Sequence, residues 1–593
     1  MILQALYDYY QRKSVDPDPA RRLPAFGLED KEIPFIIELT ADGRPLGIVD
    51  TRQGEGKKKV GQRYRVPKAV KKSVNIAANL LWGTAEYVLG VDVRGDRVRV
   101  DKQHAAFRKR LREFPYSAKN DAGILAIESF YAAGGARLLL NDLRWQEIAE
   151  TNPNVSFRLF GDGCLICERP AVRVAVGSEE ACSCNTVTMV CLITGAELPI
   201  QRTHSPIKGV WHAKTTGADI VSFNARAYES YGKEKRQGEN APISEAAAFA
   251  YTTALNHLLD RNSRQKVQIG DASTIFWAQM GAPDMENGFA ALFGDIDDPD
   301  ARIEYLRALF NAIHNGQFDG GRGTEYFYVL GLAAPSKARL SIRYWYAAPL
   351  YEIAIRIRQW FDDLKMVRGP RDPEYPALFL RSKPSLLSAC AVQQKADNVP
   401  PNLGNDIMRA ILTGGPYPIS WLNAAVQRCR AEQSVTYLRA AALKAYFNRS
   451  RRCPDSSFVQ EFFDMLDTAN TNQAYRLGRL FAILEKVQER AINPGSTIRE
   501  RYYGAASSTP AAVFATLFRL KNHHLAKLGN REGAFFERVI GEIVDGLDDF
   551  PAHLNLQDQG RFALGYYHQR NFRKIESESA QSDETIQGES KCA

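Results

Sequence analysis

At 593 residues, 45% apolar and 24% charged, the chain exceeds what a single core organises and has the composition of a soluble globular protein with two or three domains. It has no run of about 18 apolar residues, and its start, MILQALYDYYQRK, lacks the basic n-region, apolar h-region and cleavage site of a secretory leader, so neither a membrane-spanning nor a secreted protein is expected. The net charge of +9 is modest for this length and acts only where it clusters, and the expected cytoplasmic setting keeps the nine cysteines reduced.

Residues 33–50, IPFIIELTADGRPLGIVD, predict two strands joined at Asp42-Gly43. The basic stretch 54–72, GEGKKKVGQRYRVPKAVKK, follows as a loop. AVKKSVNIAANLLWGTAEYVLG then predicts a helix, with Ile76, Leu80, Leu81, Tyr87 and Val88 near helical spacing although Gly83 interrupts it. VDVRGDRVRV predicts a second hairpin, and AAFRKRLREF a short basic helix. Strand-like pieces and a cysteine cluster share 155–223. SEAAAFAYTTALNHLLDRN predicts a helix capped by Ser244. EYFYVLGL and ARLSIRYWY predict strands; in the second, Leu340, Ile342 and Tyr344 face one way and Arg339, Ser341 and Arg343 the other. APLYEIAIRIRQWFDDL returns to helix.

The turn-forming residues of DNVPPNLGND and LTGGPYP place a boundary near 395–417. Beyond it, apolar stripes at helical spacing recur: Leu477, Leu480, Phe481, Leu484 and Val487; Val513, Leu517 and Leu520; Phe535, Val539 and Ile543. The polar end KIESESAQSDETIQGESKCA has the composition of a disordered tail. The expected architecture is α+β. A mixed region of antiparallel strands and helices spans 1–400, a helical bundle 401–574 and a disordered tail 575–593.

Several catalytic signatures are missing. There is no G-x-x-x-x-G-K-[ST], no H-E-x-x-H, no G-x-S-x-G and no His-Asp pair. GGRG at 320–323 does not follow a strand and open a helix, so it is a weak phosphate cradle. The acid run DIDDPD offers Asp295, Asp297, Asp298 and Asp300 to a metal-dependent nuclease acting on DNA or RNA, but such runs are usually solvated turns. No enzyme activity is expected.

Four features carry other chemistry. In the basic loop, Lys57, Lys58, Lys59, Arg63, Arg65, Lys68, Lys71 and Lys72 repel one another unless a polyanion neutralises them, although a solvated loop has the same composition. Cys164 and Cys167 (CLIC), with Cys182 and Cys184 (CSC) and then Cys191, approach the spacing of a structural zinc site; reduced, partly buried thiols also account for them and are slightly favoured, so no cofactor is expected. The stretch 222–245, SFNARAYESYGKEKRQGENAPISE, carries Asn224, Tyr228 and Tyr231, then Lys233, Lys235, Arg236, Gln237 and Asn240. These are residue types that read base edges and grip phosphates, and also those of an ordinary surface loop. From Gln473 to Arg531 ten Lys or Arg face three acids, and Arg476, Arg479, Lys486 and Arg490 recur off the apolar stripe. A helix face of that kind can track a phosphate backbone, or simply be solvated.

Taken together, MILQALYDYYQRK, NIAANLLWGTAEYVLG, SPIKGV, VSFNARAYESYGKE with NAPISEAAAFAYTTALNHLL, GDASTIFWA and YVLGLAAPSKARLSIRYW resemble the large subunit of the subtype I-C CRISPR Cascade complex. LDTANTNQAYRLGRLFAILEKVQ resembles that family's C-terminal region. The cysteine pairs are less typical of it. The resemblance implies a cytoplasmic, non-catalytic subunit of an RNA-guided antiviral complex that checks the short motif beside the target (the PAM), helps open the duplex into an R-loop and guides the displaced strand. The implied partners are crRNA, double-stranded target DNA and its displaced single strand, a backbone filament, a crRNA-processing subunit, a helical small subunit and a recruited helicase-nuclease, with no membrane. On this reading the 54–72 loop grips phosphates of the PAM-side duplex and the 222–240 loop approaches base edges. The resemblance also implies a small subunit started inside the same gene; Met465, the last methionine, would begin a basic, nearly all-helical product, and N-terminal sequencing of that product would locate its start.

Overall fold

A computed structural model describes all residues except 55–58, 71–75, 93–94, 115–117, 182–186, 224–225, 234–236, 295–303, 306, 309–310, 312–323, 382, 401, 451, 453–460 and 590–593. The chain divides into two compact units: Met1–Ser205 with Val221–Leu255, and Pro206–Ile220 with Asn256–Ala593. The fold is α+β, with small, mostly antiparallel sheets giving way to helices in the second half. The composition shift near 395–417 falls inside the second unit. Among the described residues no helix is long and apolar enough to cross a membrane.

In the first unit the predicted hairpin forms: β2 (Phe35–Leu39) pairs antiparallel with β3 (Pro45–Asp50). At its turn Gly43 has φ +87°, and a Cβ there would lie 2.5 Å from the Ser129 side chain, so only glycine fits. Strand β6 (Asn154–Leu159) pairs parallel with β2, and β5 (Trp82–Thr84) closes the order β3-β2-β6-β5. Phe35, Ile37, Leu39, Val155 and Phe157 are buried, with Phe130 of α3 (Ala122–Ala132) against Phe157. Two further strands, β1 (Leu28–Glu32) and β4 (Arg63–Pro67), form a separate antiparallel pair, as do the short β7 (Thr188–Val190) and β8 (Glu197–Pro199). The unit also contains α1 (Ile2–Ser14) and α4 (Pro170–Ala181).

Two sequence expectations are corrected here. The helix expected over 69–90 does not form: residues 71–75 lie outside the described part, Leu81 takes φ +62°, and Trp82–Thr84 are strand β5. Trp82 Nε1 donates to the Pro67 carbonyl at 2.7 Å and Gly83 pairs with Val155, so only Ala85–Val88 makes a helical turn. The second hairpin is also absent. Asp96 caps α2 (Arg97–Arg112) by accepting from the Arg99 amide, and Val100, Phe107 and Leu111 form its buried stripe. RVRV alternates like a strand, but the cap and the stripe beyond it decide.

The helix predicted after Ser244 is α5 (Glu245–Leu258), and the Ser244 Oγ accepts from the Ala247 amide at 3.3 Å. The second unit holds an antiparallel sheet of order β12-β11-β10-β9: β9 (Lys266–Ile269), β10 (Ala272–Ala278), β11 (Tyr326–Ala333) and β12 (Ser341–Pro349). Both strands predicted at 325–346 are thus present; on β12 Tyr344 is buried, whereas Ile342, assigned to the same face, is exposed. Helix α6 (Pro283–Phe293) puts Phe289 and Phe293 into the core, and α7 (Leu350–Leu364) adds Ile353, Ile357 and Trp360.

The helical part comprises α8 (Leu403–Thr413), α9 (Ile419–Ala431), α10 (Tyr437–Ser450), α11 (Gln473–Ile492), α12 (Ile498–Ala506), α13 (Pro510–Leu525), α14 (Asn530–Val544) and α15 (Leu556–Glu589). All five members of the first stripe are buried on α11; on α14 Ile543 is buried as predicted, while Phe535 and Val539 are half-buried against the core and Phe536 and Ile540 beside them are buried. Helix α15 carries on through Glu589, over the stretch whose composition suggested disorder. Helices α11 and α15 touch backbone to backbone. A Cβ at Gly478 would lie 2.0 Å from the Phe562 carbonyl oxygen, and one at Gly565 2.0 Å from that of Tyr475.

Candidate nucleic-acid interface

Of the basic stretch 54–72, Lys57, Lys58, Lys71 and Lys72 lie outside the described residues. Lys59 is exposed. The rest is less loop-like than expected, because RYRVP is β4 and its partner β1, LEDKE, supplies acids. The register sets Arg65 opposite Asp30 and Arg63 opposite Glu32. Arg65 Nε reaches Asp30 at 3.3 Å and Arg63 Nε reaches Glu32 at 3.9 Å, while the Arg65 Nη2 donates to the Arg22 carbonyl at 2.6 Å. Exposed cross-strand pairs of this kind contribute about 0–1 kcal/mol each, yet they fix both guanidiniums along one strand. The Lys68 ammonium sits 5.3 Å from the centre of the Phe249 ring, on α5. Arg65 is therefore largely a structural cation, and the exposed Lys59 is the described cation of this stretch most open to a phosphate.

The 222–240 segment braces itself. Asn240 Oδ1 accepts from the Ser230 amide at 3.3 Å and from its hydroxyl at 3.2 Å, and the Lys233 ammonium donates to the Glu239 carbonyl at 2.9 Å. Gln237 Oε1 accepts from Arg202 at 3.2 Å. Gly238 has φ +88°, and a Cβ there would meet the Gln201 carbonyl at 2.6 Å. Asn240 Nδ2 is buried and has no partner among the described residues. At the far end of the segment, Tyr231 takes φ +57° and is 94% exposed, and Gly232 follows at φ +69°. Asn240 thus closes the loop, Gln237 keeps its amide NH2, and Tyr231 offers an open aromatic face. Asn224, Lys235 and Arg236 lie outside the described residues.

The helical candidates behave differently. Arg476 Nε donates to the Asn470 carbonyl at 2.8 Å and its Nη1 to the Gly546 carbonyl. Arg479 is 6% exposed, donates to Gln569 Oε1 at 3.1 Å and to the Thr468 carbonyl at 3.3 Å, and burial holds its pKa below the ordinary arginine value. Arg490 pairs with Glu532 at 2.8 Å, and Lys486 is half-buried. The regular spacing of these cations does not make a free basic face: Arg476 and Arg479 hold loop carbonyls to α11. On α2, by contrast, Arg99 and Lys102 are exposed, which the reading of that stretch as a hairpin and a short helix obscured. Sequence reasoning also passed over the stack of Arg381 on Trp211, because residues 170 positions apart carry no local signal.

Cys167 is buried and its thiol pKa is pushed up by burial; Cys164 is half-buried and raised by burial and by Glu168. Both environments oppose the thiolate that zinc needs. Cys182 and Cys184, like Asp295, Asp297, Asp298 and Asp300, lie outside the described residues, within which no group of three metal-ligating side chains occurs.

A family model described as CRISPR-associated protein (Cas_Csd1) matches residues 6–574. No curated protein matches the chain.

Proposed function

The chain belongs to the Cas_Csd1 family of CRISPR-associated proteins, the large-subunit family that its sequence resembles, and from that premise we propose that it recognises the PAM-side DNA duplex within an RNA-guided type I-C complex. It does so without cutting, assists duplex opening, and supports recruitment of a helicase-nuclease; crRNA, the backbone filament, the crRNA-processing subunit and a helical small subunit are its partners. The observation that carries this reading is the family match over nearly the whole chain. Two local features support it. Lys57 to Lys59 lead into a strand whose arginines are held in line, and the described part of the 222–240 loop is braced by its own hydrogen bonds and exposes Tyr231.

The two segments act through different physics, so they separate experimentally. Alanine at Lys57, Lys58 and Lys59 is expected to weaken PAM-duplex binding alike for all motifs and to lower the slope of log K against log salt by about 2.7, at about 0.9 per phosphate contact. Titrations at several salt concentrations with labelled duplex read this directly, and an unchanged slope removes the loop from the interface. In the same assay with Mg²⁺, cleavage of the duplex would contradict the non-catalytic role.

Gln237→Ala and Asn240→Ala are expected to change which motif is preferred, by about 1–3 kcal/mol between the best and next-best motif, with little change in salt slope. Asn240 acts through loop shape and Gln237 directly. Competition between duplexes differing only in the motif measures it; a preference identical to that of the unaltered protein places base reading elsewhere.

A further inference from the structure

In the second unit Trp211 stands at the junction of two cavities, of about 450 and 440 Å³, that share it and Arg381. We propose that these cavities form a binding site for one unpaired nucleotide of a nucleic-acid single strand, its base stacked on the Trp211–Arg381 pair and its phosphates met by Lys383 and Lys395.

The stack is built rather than incidental. The Trp211 amide donates to Ser273 Oγ on β10 at 3.0 Å, which ties the indole to the sheet. The Lys266 ammonium donates to the Gly209 carbonyl at 2.7 Å and the Leu259 carbonyl at 3.0 Å, holding the same turn from below; burial lowers its pKa, and it positions the turn rather than meeting a ligand. His212, at φ +62°, stacks on Trp211 with ring centres 4.1 Å apart and planes at 28°. The Arg381 guanidinium carbon lies 4.6 Å from the indole centre. Imidazole, indole and guanidinium thus form one group of stacked flat surfaces, and aromatic faces and guanidinium planes are the surfaces on which unstacked bases lie.

The rest of the lining fits the remainder of a nucleotide. Lys383 and Lys395 are exposed at the larger cavity, with Asp397 the one acid among its described lining residues, and Arg261 lines the smaller. Gln393 and Gln394 both take left-handed backbone, at φ +56° and +53°, and Gln394 lines the larger cavity, where an amide can pair with a base edge. Left-handed conformations at two successive non-glycine residues are strained, and such strain persists where the surroundings hold a side chain in place. Each cavity falls within the roughly 300–1,000 Å³ usual for small-ligand sites, and a lone phosphate would need no aromatic stack. The site follows from unit-two geometry alone; only the assignment of its nucleotide to the displaced strand or the guide RNA of a complex rests on the function proposed above.

Fluorescence anisotropy of the full chain with short labelled oligo(dT) and oligo(rU) tests it. Trp211→Ala is expected to weaken single-strand binding about ten-fold, and Trp211→Phe to restore most of it. Lys383→Ala with Lys395→Ala alters two exposed side chains, and is expected to lower the single-strand salt slope by about 1.4, at about 0.7 per contact. Both variants should keep the PAM-duplex affinity that the Lys57 to Lys59 variant loses. A loss confined to oligo(rU) makes guide RNA the source of the nucleotide, and one confined to oligo(dT) makes it the displaced strand; either supports the site. Single-strand affinity and slope unchanged in the lysine variant and in Trp211→Ala overturn it, and leave the duplex-binding reading standing or falling on its own assay.

Discussion

Replacing Asp363 by Ala is expected to destabilise the second unit by about 3–5 kcal/mol. Asp363 ends α7 at 2% exposure and accepts from three groups: Arg449 Nε at 2.7 Å and the Tyr417 hydroxyl at 2.9 Å on one oxygen, and Arg452 Nη2 at 2.6 Å on the other. Arg449, also 2% exposed, in turn donates to the Tyr417 hydroxyl at 2.7 Å. Burial, and then the neighbouring carboxylate, push the Tyr417 phenol pKa well above its ordinary value, so the phenol stays a donor. Removing the carboxylate strands a buried guanidinium, and the desolvation of that charge, rather than the lost bonds, sets the size of the effect. The urea midpoint of the later-unfolding or earlier-unfolding transition that belongs to this unit reads it. Pairing Asp363→Leu with Arg449→Met should recover much of the loss, since the fully buried guanidinium goes with its carboxylate and Arg452, which also loses Asp363, is a quarter exposed; a single variant with less than about 1 kcal/mol of destabilisation shows that water or rearrangement solvates Arg449.

Gly478→Ala and Gly565→Ala are expected to destabilise the α11–α15 pair by about 2 kcal/mol each. Alanine is the better helix former by about 1 kcal/mol, so in an open helix either change would stabilise. Here the added methyl meets a backbone carbonyl at 2.0 Å in both directions, and backbone cannot rotate aside as a side chain can. The helices must part, and the packing around Phe481, Phe562 and Tyr566 parts with them. Gly504→Ala on α12 is the control: nothing lies within 4 Å of its Cβ position, so the propensity gain should appear unopposed. Thermal melts of the three variants separate the two effects, and stabilisation at Gly478 would mean that α11 and α15 do not approach so closely.

What the sequence reveals and what it hides differ in range. The 33–50 hairpin, the Ser244-capped helix, the two strands predicted within 325–346 and the buried stripe of α11 are local patterns of period 2 or 3.6, and each is present. The misread segments depend on distant partners. Trp82 and Gly83 become strand because Pro67 and Val155 receive them. The basic run of 54–72 looks unneutralised in sequence, but Asp30 and Glu32, some thirty residues earlier, lie across from its arginines. Arg476 and Arg479 sit off the apolar stripe as a solvated or DNA-facing residue would; the carbonyls at Thr468, Asn470 and Gly546 that bind them come from loops no helical periodicity reports. Charge pattern alone therefore overstates the free basic surface, most of all on α11.

The chain passes from one unit to the other three times, at 205–206, 220–221 and 255–256. During synthesis, a ribosome that has finished Ser205 has not finished the first unit, whose last part is the stretch of α5 up to Leu255. The roughly 50 residues still missing take about 3–10 s to make at ~5–20 residues per second, and for that interval Tyr10 and Phe26, which end against Phe249, have no ring to close on. A shortened chain ending between the crossings would leave the nascent first unit in that same unfinished state for good.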